Sequence, residues 1–232
     1  MISAGDATDF FLDKMPKYKL VCFDVDGTLI DNATFSWQIF HDYFQTDKHR
    51  REDAKNAFLK GKITYPQWAE HDISLWQEAN AKKEDFLKAI GHLKLMEGAM
   101  ETLNELKRRG LKLAVISGSL NIILEKFIPD YNEFFDDVFL NRIYFDESGL
   151  ISGVEATEFD IDAKALALKK IAEREKIKME ECVFIGDYLN DLKIIKEAGL
   201  GIAFNCRYEE LKKAADIVIE KKDLREVLKF IL

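Results

Sequence analysis

Two aspartates two positions apart, Asp24 and Asp26, stand where an apolar run ends and the chain turns at Gly27-Thr28 (LVCFDVDGTLIDN, residues 20–32). A second apolar run ends in Ser117-Gly118-Ser119, and a third in Gly186-Asp187-Tyr188-Leu189-Asn190-Asp191. In a doubly wound sheet, loops at the carboxyl ends of the strands form the ligand crevice, so these stretches are expected to meet. Gathering Asp24, Asp26, Asp187 and Asp191 in one crevice is self-repulsive unless a cation lies among them. Oxygen-only ligands select a hard ion, and carboxylates beside a substrate phosphate are the usual surroundings of Mg²⁺. Ser117-Gly118-Ser119, read as a turn before the helical start NIILEKF, offers a hydroxyl and backbone N–H groups to a phosphate. Lys164, near the start of another helical stretch, adds positive charge against the same phosphate. Each feature alone has a blander explanation, since Asp-x-Asp-Gly is often a self-capped turn. Their joint placement at the ends of three strands carries the functional reading.

The elements that must position these groups can be traced from the pattern. Short runs rich in Val, Ile and Phe at 18–24, 111–117, 181–187, 199–204 and 216–220 lack the alternation of a half-exposed sheet, which implies burial on both faces. Helical periodicity fills the intervals at 97–109, 163–176 (with Asp162 as N-cap), 192–198 and 209–215. Alternating strand and helix predicts an α/β fold, a Rossmann-like doubly wound, mainly parallel sheet. Two segments break the alternation. Residues 139–159 read as a β-hairpin turning at Asp146-Glu147-Ser148-Gly149, and residues 33–94 as four helices carrying all three tryptophans. The expected division is a core of residues 1–32 and 95–232 and an inserted helical cap of 33–94 with a small core of its own.

The bulk properties narrow the function classes. The net charge is −8 and the pI about 5.2, a surface that repels nucleic acid and anionic membranes. No run approaches the about 20 apolar residues that cross a bilayer, and the N-terminus has no secretory pattern, so a cytoplasmic location is expected. Cys22, Cys182 and Cys206 are an odd, widely spaced set, read as small buried hydrophobes rather than a disulfide framework. The partner expected is a small phosphomonoester; whether the chain is a monomer or a homodimer is not legible.

DVDGT, then SGS, then a helix-borne Lys, then GDYLND resembles the haloacid dehalogenase superfamily of aspartate-nucleophile phosphatases. The helical insertion after the first motif is similar to one of its capped subclasses, and nearly the whole chain after residue 18 resembles the phosphoserine phosphatases. The resemblance implies that Asp24 is the nucleophile, forming an aspartyl-phosphate, and Asp26 the general acid and then base. It implies that Asp24, the backbone carbonyl of Asp26 and Asp187 bind Mg²⁺ with Asp191 in support. Ser117, Gly118 and Lys164 would hold the phosphate with Asn190 near it, and Thr28 fits the first motif.

Substrate choice departs from that family. The Glu that phosphoserine phosphatases place nine residues after the nucleophile, facing the serine ammonium, is Ala33 here, and the cap Arg that meets the serine carboxylate falls on Asp72. Because sites built on polar contacts discriminate strongly, the expectation is a phosphoserine phosphatase-like enzyme acting on another phosphomonoester. True phosphoserine phosphatase is the alternative, followed by phosphoryl transfer between sugars and by a non-catalytic binding module. Phe35, Trp37, Phe40, Tyr43 and Phe44 could line a less polar pocket or form cap core.

Overall fold

The computed structural model describes residues 17–33 and 35–232, so the N-terminal stretch read above lies outside the described residues. The chain opens with β1 (Leu20–Phe23) and a two-residue strand β2 (Ile30–Asp31), then four helices: α1 (Ser36–Phe44), α2 (Lys48–Leu59), α3 (Tyr65–Glu78) and α4 (Lys83–Ala89). It returns through β3 (Lys94–Leu95), which pairs antiparallel with β2, so the exit from the first strand and the return to the core lie side by side. Next come α5 (Ala99–Arg108), β4 (Lys112–Leu120), α6 (Asn121–Phe127), α7 (Tyr131–Phe134) and the hairpin of β5 (Asp137–Phe145) and β6 (Ile151–Glu155). The remainder alternates: α8 (Lys164–Glu175), β7 (Cys182–Gly186), α9 (Leu192–Glu197), β8 (Leu200–Phe204), α10 (Glu209–Ala214), β9 (Ile217–Ile219) and α11 (Leu228–Ile231).

Seven strands form one sheet in the order β6-β5-β4-β1-β7-β8-β9, parallel except for the antiparallel edge strand β6. β1, β7 and β8 are buried along their whole length, which is why their sequences run apolar without alternation. The parity of the strands still sorts the core. Leu20, Cys22, Ala114, Ile116 and Phe184 pack with Leu168 and Ile171 of α8 and with Ile194 and Ile195 of α9. Val21, Phe23, Leu113, Val115, Val183 and Ile185 point to the other face, with Leu103 and Leu106 of α5. Cys22, Cys182 and Cys206 are buried and unpaired.

The aromatic residues of the inserted helices do not form the separate small core expected. Trp37, Phe40, Trp76 and Phe86 stack on one another at centroid distances of 4.9–5.6 Å and join the second sheet face in one continuous cluster, in part through Phe145 of β5. The insertion is thereby packed down on the hairpin side of the sheet. Among the described residues no helix is long and apolar enough to cross a membrane.

Candidate active site

β1 sits at the centre of the sheet, hydrogen-bonded to β4 on one side and β7 on the other. The ends of these three strands are therefore neighbours, and Asp24 continues β1 by donating its backbone N–H to Ile185 O at 2.9 Å. Gly27 follows with φ of 77°, and a Cβ there would lie 2.1 Å from Asp187 Oδ2. Only glycine allows both the left-handed turn and the approach of that carboxylate.

Asp24, Asp187 and Asp191 each present a carboxylate oxygen within 4.8 Å of the others, all three residues buried. Lys164 is wholly enclosed and its Nζ bridges Asp24 Oδ1 at 2.8 Å and Asp191 Oδ1 at 2.7 Å. Burial works against the Lys164 ammonium, but the charges of Asp191, Asp24 and Asp160 overcome it and raise its pKa. Asp191 spends its other oxygen on the backbone N–H groups of Asp187 and Tyr188, at 3.1 and 3.2 Å, and so shapes the loop. One oxygen of Asp187, Oδ1, is buried with no hydrogen-bond partner among the described residues. Burial, then the charges of Asp24 and Asp191, push the Asp187 pKa well above the usual carboxylate range. Three buried acids, one of them with an orphaned carboxylate oxygen, form an all-oxygen donor set that fits a hard divalent ion.

Asp26 points elsewhere. Its Oδ2 accepts the backbone N–H of Ser36 at 2.7 Å and its Oδ1 lies 2.8 Å from Ser119 Oγ. Burial raises its pKa, opposed by the bonds from Ser36. The Ser119 hydroxyl donates to Oδ1, so both carboxylate oxygens of Asp26 accept hydrogen bonds. The paired aspartates of the opening motif thus occupy different surroundings, one against a cation and one between a serine hydroxyl and a helix start.

Ser117-Gly118-Ser119 is not the turn expected. β4 runs on to Leu120, and its register with β5 shifts between Ile116 and Leu120, which lifts these residues out of the ladder as a bulge; α6 begins only at Asn121. Gly118 O accepts from Trp37 Nε1 at 2.8 Å and from Asn141 Nδ2 at 2.7 Å, while Ser117 Oγ accepts the Ser119 N–H at 3.1 Å. A Cβ at Gly118 would meet Asp160 Oδ2 at 2.1 Å. Asp160 caps the 3₁₀ turn ahead of α8 and accepts from Asn190 Nδ2 at 3.1 Å; the side chain of Asp162, expected to cap that helix, lies outside the described residues. Asn190 Oδ1 and Thr28 Oγ1 are buried without partners among the described residues.

Asp24, Asp26, Ser117, Gly118 and Asn190 line one small recess with Phe35, Ser119, Asp160 and Tyr188. It shares four residues with a cavity of about 670 Å³ between the inserted helices and the core. Phe35, Trp37, Tyr65, Trp68 and Tyr188 supply its aromatic walls, and Lys48, Arg51, Glu52, Lys55, Asp72 and Asp160 its charges. Of the aromatic residues singled out in the sequence, Phe35 and Trp37 line this cavity, Phe40 is core, Phe44 packs partly against the core and Tyr43 is exposed. Thr28, Lys164, Asp187 and Asp191 do not line the recess; Lys164 is joined to it through its bond to Asp24.

The model of haloacid dehalogenase-like hydrolases matches residues 18–199. The chain belongs to that family. It is 38% identical to a phosphoserine phosphatase of Methanocaldococcus jannaschii over 218 residues, 93% of this chain and 98% of the relative. It is 30% identical to a phosphoserine phosphatase of Lactococcus lactis, over 91% of this chain and 94% of that one. A solved structure of a phospho-aspartyl intermediate analogue of phosphoserine phosphatase superposes with a TM-score of 0.70 at 35% identity, covering 93% and 99% of the two chains. The chain is a phosphoric monoester hydrolase, and its parallel sheet with flanking helices is the haloacid dehalogenase-like core.

Proposed function

We propose that this hydrolase cleaves phosphoserine through an aspartyl-phosphate on Asp24. The observation that carries the reading is the division of the Asp24–Asp26 pair between two environments. Lys164 pins Asp24 Oδ1, and Oδ2 carries no hydrogen bond from a described residue, so one oxygen is oriented and the other is left for in-line attack on phosphorus. Burial favours the protonated form of Asp26, which would give its proton to the departing serine oxygen; the ionised carboxylate would then draw a proton from the water that cleaves the aspartyl-phosphate. Ser117 and the bulged backbone around Gly118 would hold the phosphoryl oxygens, with Asn190 and Thr28 as further polar groups and Lys164 supplying charge. Asp24, Asp187 and the carbonyl of Asp26, with Asp191 in support, would hold Mg²⁺, which would neutralise the repulsion between carboxylate and phosphate.

Ala33 and Asp72 lead the sequence towards another phosphomonoester, but the relatives favour phosphoserine, and the cavity supports it. Asp72 does not stand alone in the cavity: it accepts from His41 at 3.1 Å and meets Arg51 at 3.4 Å, and Lys48 and Lys55 line the same space, so cations are at hand for a substrate carboxylate. A second reading, a larger or less polar leaving group, is favoured by the size of the cavity and its aromatic walls. Phosphate release from a panel of phosphomonoesters in Mg²⁺ and in EDTA separates the two. Phosphoserine is expected to lead the panel, and Asn in place of Asp24 to lower turnover by orders of magnitude. A bulky ester leading it, or full activity in Asp24→Asn, overturns the assignment.

A further inference from the structure

Phosphoserine is a zwitterion beyond its phosphate, and a site that selects it needs one group for the carboxylate and one for the ammonium. Of the charges that face the cavity, Arg51 of α2 and Asp72 of α3 are opposite in sign and adjacent across two helices. Arg51 is largely enclosed, with its side chain 16% exposed. Its Nη1 donates to Gln38 Oε1 at 2.5 Å, and its Nε reaches Asp72 Oδ2 only at 3.4 Å. Among the described residues its Nη2 has no partner, so one edge of the guanidinium fork is unspent. Trp68 lines the same cavity and carries a buried Nε1–H that also lacks a partner among the described residues. The buried Trp68 donor is costly without an acceptor, and a ligand carboxylate is an acceptor that suits it and the free edge of Arg51 alike.

Asp72 is held in place by a chain of bonds. Burial keeps His41 below its ordinary pKa despite the bond to Asp72, so the ring is neutral and has one donor and one acceptor nitrogen. The Thr46 hydroxyl, 2.6 Å from Nδ1, can donate there, which places the ring proton on Nε2, aimed at Asp72 Oδ2. Oδ1 is met only by His71 at 3.4 Å.

We propose that Arg51 and Asp72 read the amino-acid end of the substrate, Arg51 with Trp68 taking the carboxylate and Asp72, positioned by His41, taking the ammonium. This rests on the phosphoserine reading: Asp72 stands where the family's cap Arg is expected and takes the opposite charge's role, while Arg51 lies at a position that the sequence alone did not single out.

The test uses the full chain in Mg²⁺ with three substrates: phosphoserine, O-phosphoethanolamine, which lacks the carboxylate, and p-nitrophenyl phosphate, which lacks both groups. A charge-assisted contact commonly contributes a factor of about 10 to 100, so wild type should prefer phosphoserine to phosphoethanolamine by at least about tenfold in kcat/KM. In Arg51→Gln that preference should collapse, chiefly through KM, with partial recovery in Arg51→Lys. In Asp72→Asn both amines should lose kcat/KM relative to the aryl ester by a similar factor. Wild type that cleaves phosphoserine but does not distinguish it from phosphoethanolamine overturns the assignment of Arg51 without any variant. Unaltered preferences in Arg51→Gln and Asp72→Asn overturn it with the phosphoserine reading intact. Wild type that cleaves only the aryl ester overturns the phosphoserine reading itself.

Discussion

Lys164→Met tests the balance of charge at the site. The lysine is fully enclosed, Asp191 equally so, and the side chain of Asp24 is 6% exposed, so removing the ammonium strands two carboxylates in a region water does not reach. Breaking a buried ion pair from one side costs about 3–5 kcal/mol. Unfolding entropy near the transition is roughly 2.1 cal/mol/K per residue, or roughly 0.5 kcal/mol/K for 232 residues, so the midpoint should fall by about 6–10 °C. The measurement is thermal unfolding by circular dichroism in EDTA at pH 8, so that no divalent ion replaces the lost charge. The pH dependence has a definite sign. Burial already raises the Asp191 pKa, and without Lys164 opposing it the rise is larger. The folded variant then binds more protons than the unfolded chain, and its stability climbs as pH falls from 8 towards 5. At pH 5 the deficit relative to wild type should be less than half its value at pH 8, and adding Asp191→Asn should recover part of it at pH 8. A midpoint shift under about 2 °C at pH 8, or a shift equal at both pH values, would refute the view that Lys164 is there to hold two buried acids.

Three other outcomes follow from the geometry. Asp26→Asn removes the proposed proton donor, worth about 10²–10⁴-fold in such reactions; the loss should be at least about tenfold greater on phosphoserine, whose leaving group needs a proton, than on p-nitrophenyl phosphate, as steady-state kinetics would show. In Gly27→Ala, a left-handed alanine costs about 1–2 kcal/mol and its Cβ collides with Asp187, which should weaken Mg²⁺ binding at least tenfold by calorimetric titration. Stripped of metal, the wild-type protein carries Asp26 and Asp187 with raised pKa values, so the fold binds protons the unfolded chain does not, and stability declines as pH rises above the ordinary carboxylate range. Scanning fluorimetry in EDTA should give a higher midpoint at pH 5.5 than at pH 8, and Mg²⁺ should raise the pH 8 value most.

What the sequence makes legible follows from how local the cause is. The strand-end acids are visible because an apolar run that stops in Asp-x-Asp-Gly has few local reasons to do so, and the parallel sheet because strands buried on both faces lose their polar alternation. Ser36 and Asp160 escape notice since nothing in their neighbours marks them; each acquires its role from a chain segment more than eight residues away. The bulge at Ser117–Ser119 is equally silent, because Ser-Gly-Ser reads as a turn until the partner strand shows the shifted register. Arg51 is hidden for a third reason. It contacts Asp72 across two helices, and the spacing within either helix says nothing of how they pack. Asp72 is only half legible in isolation for the same reason: its partners, His41 and Arg51, are visible only in the fold.

The start of α1 is stitched to the core twice, by the Ser36 N–H on Asp26 and by the Trp37 indole on the Gly118 carbonyl. One helical turn of the insertion therefore touches both the acid and the backbone arch beside it. Lifting that helix to let a product escape would strip Asp26 of its donor and admit solvent to it in the same stroke.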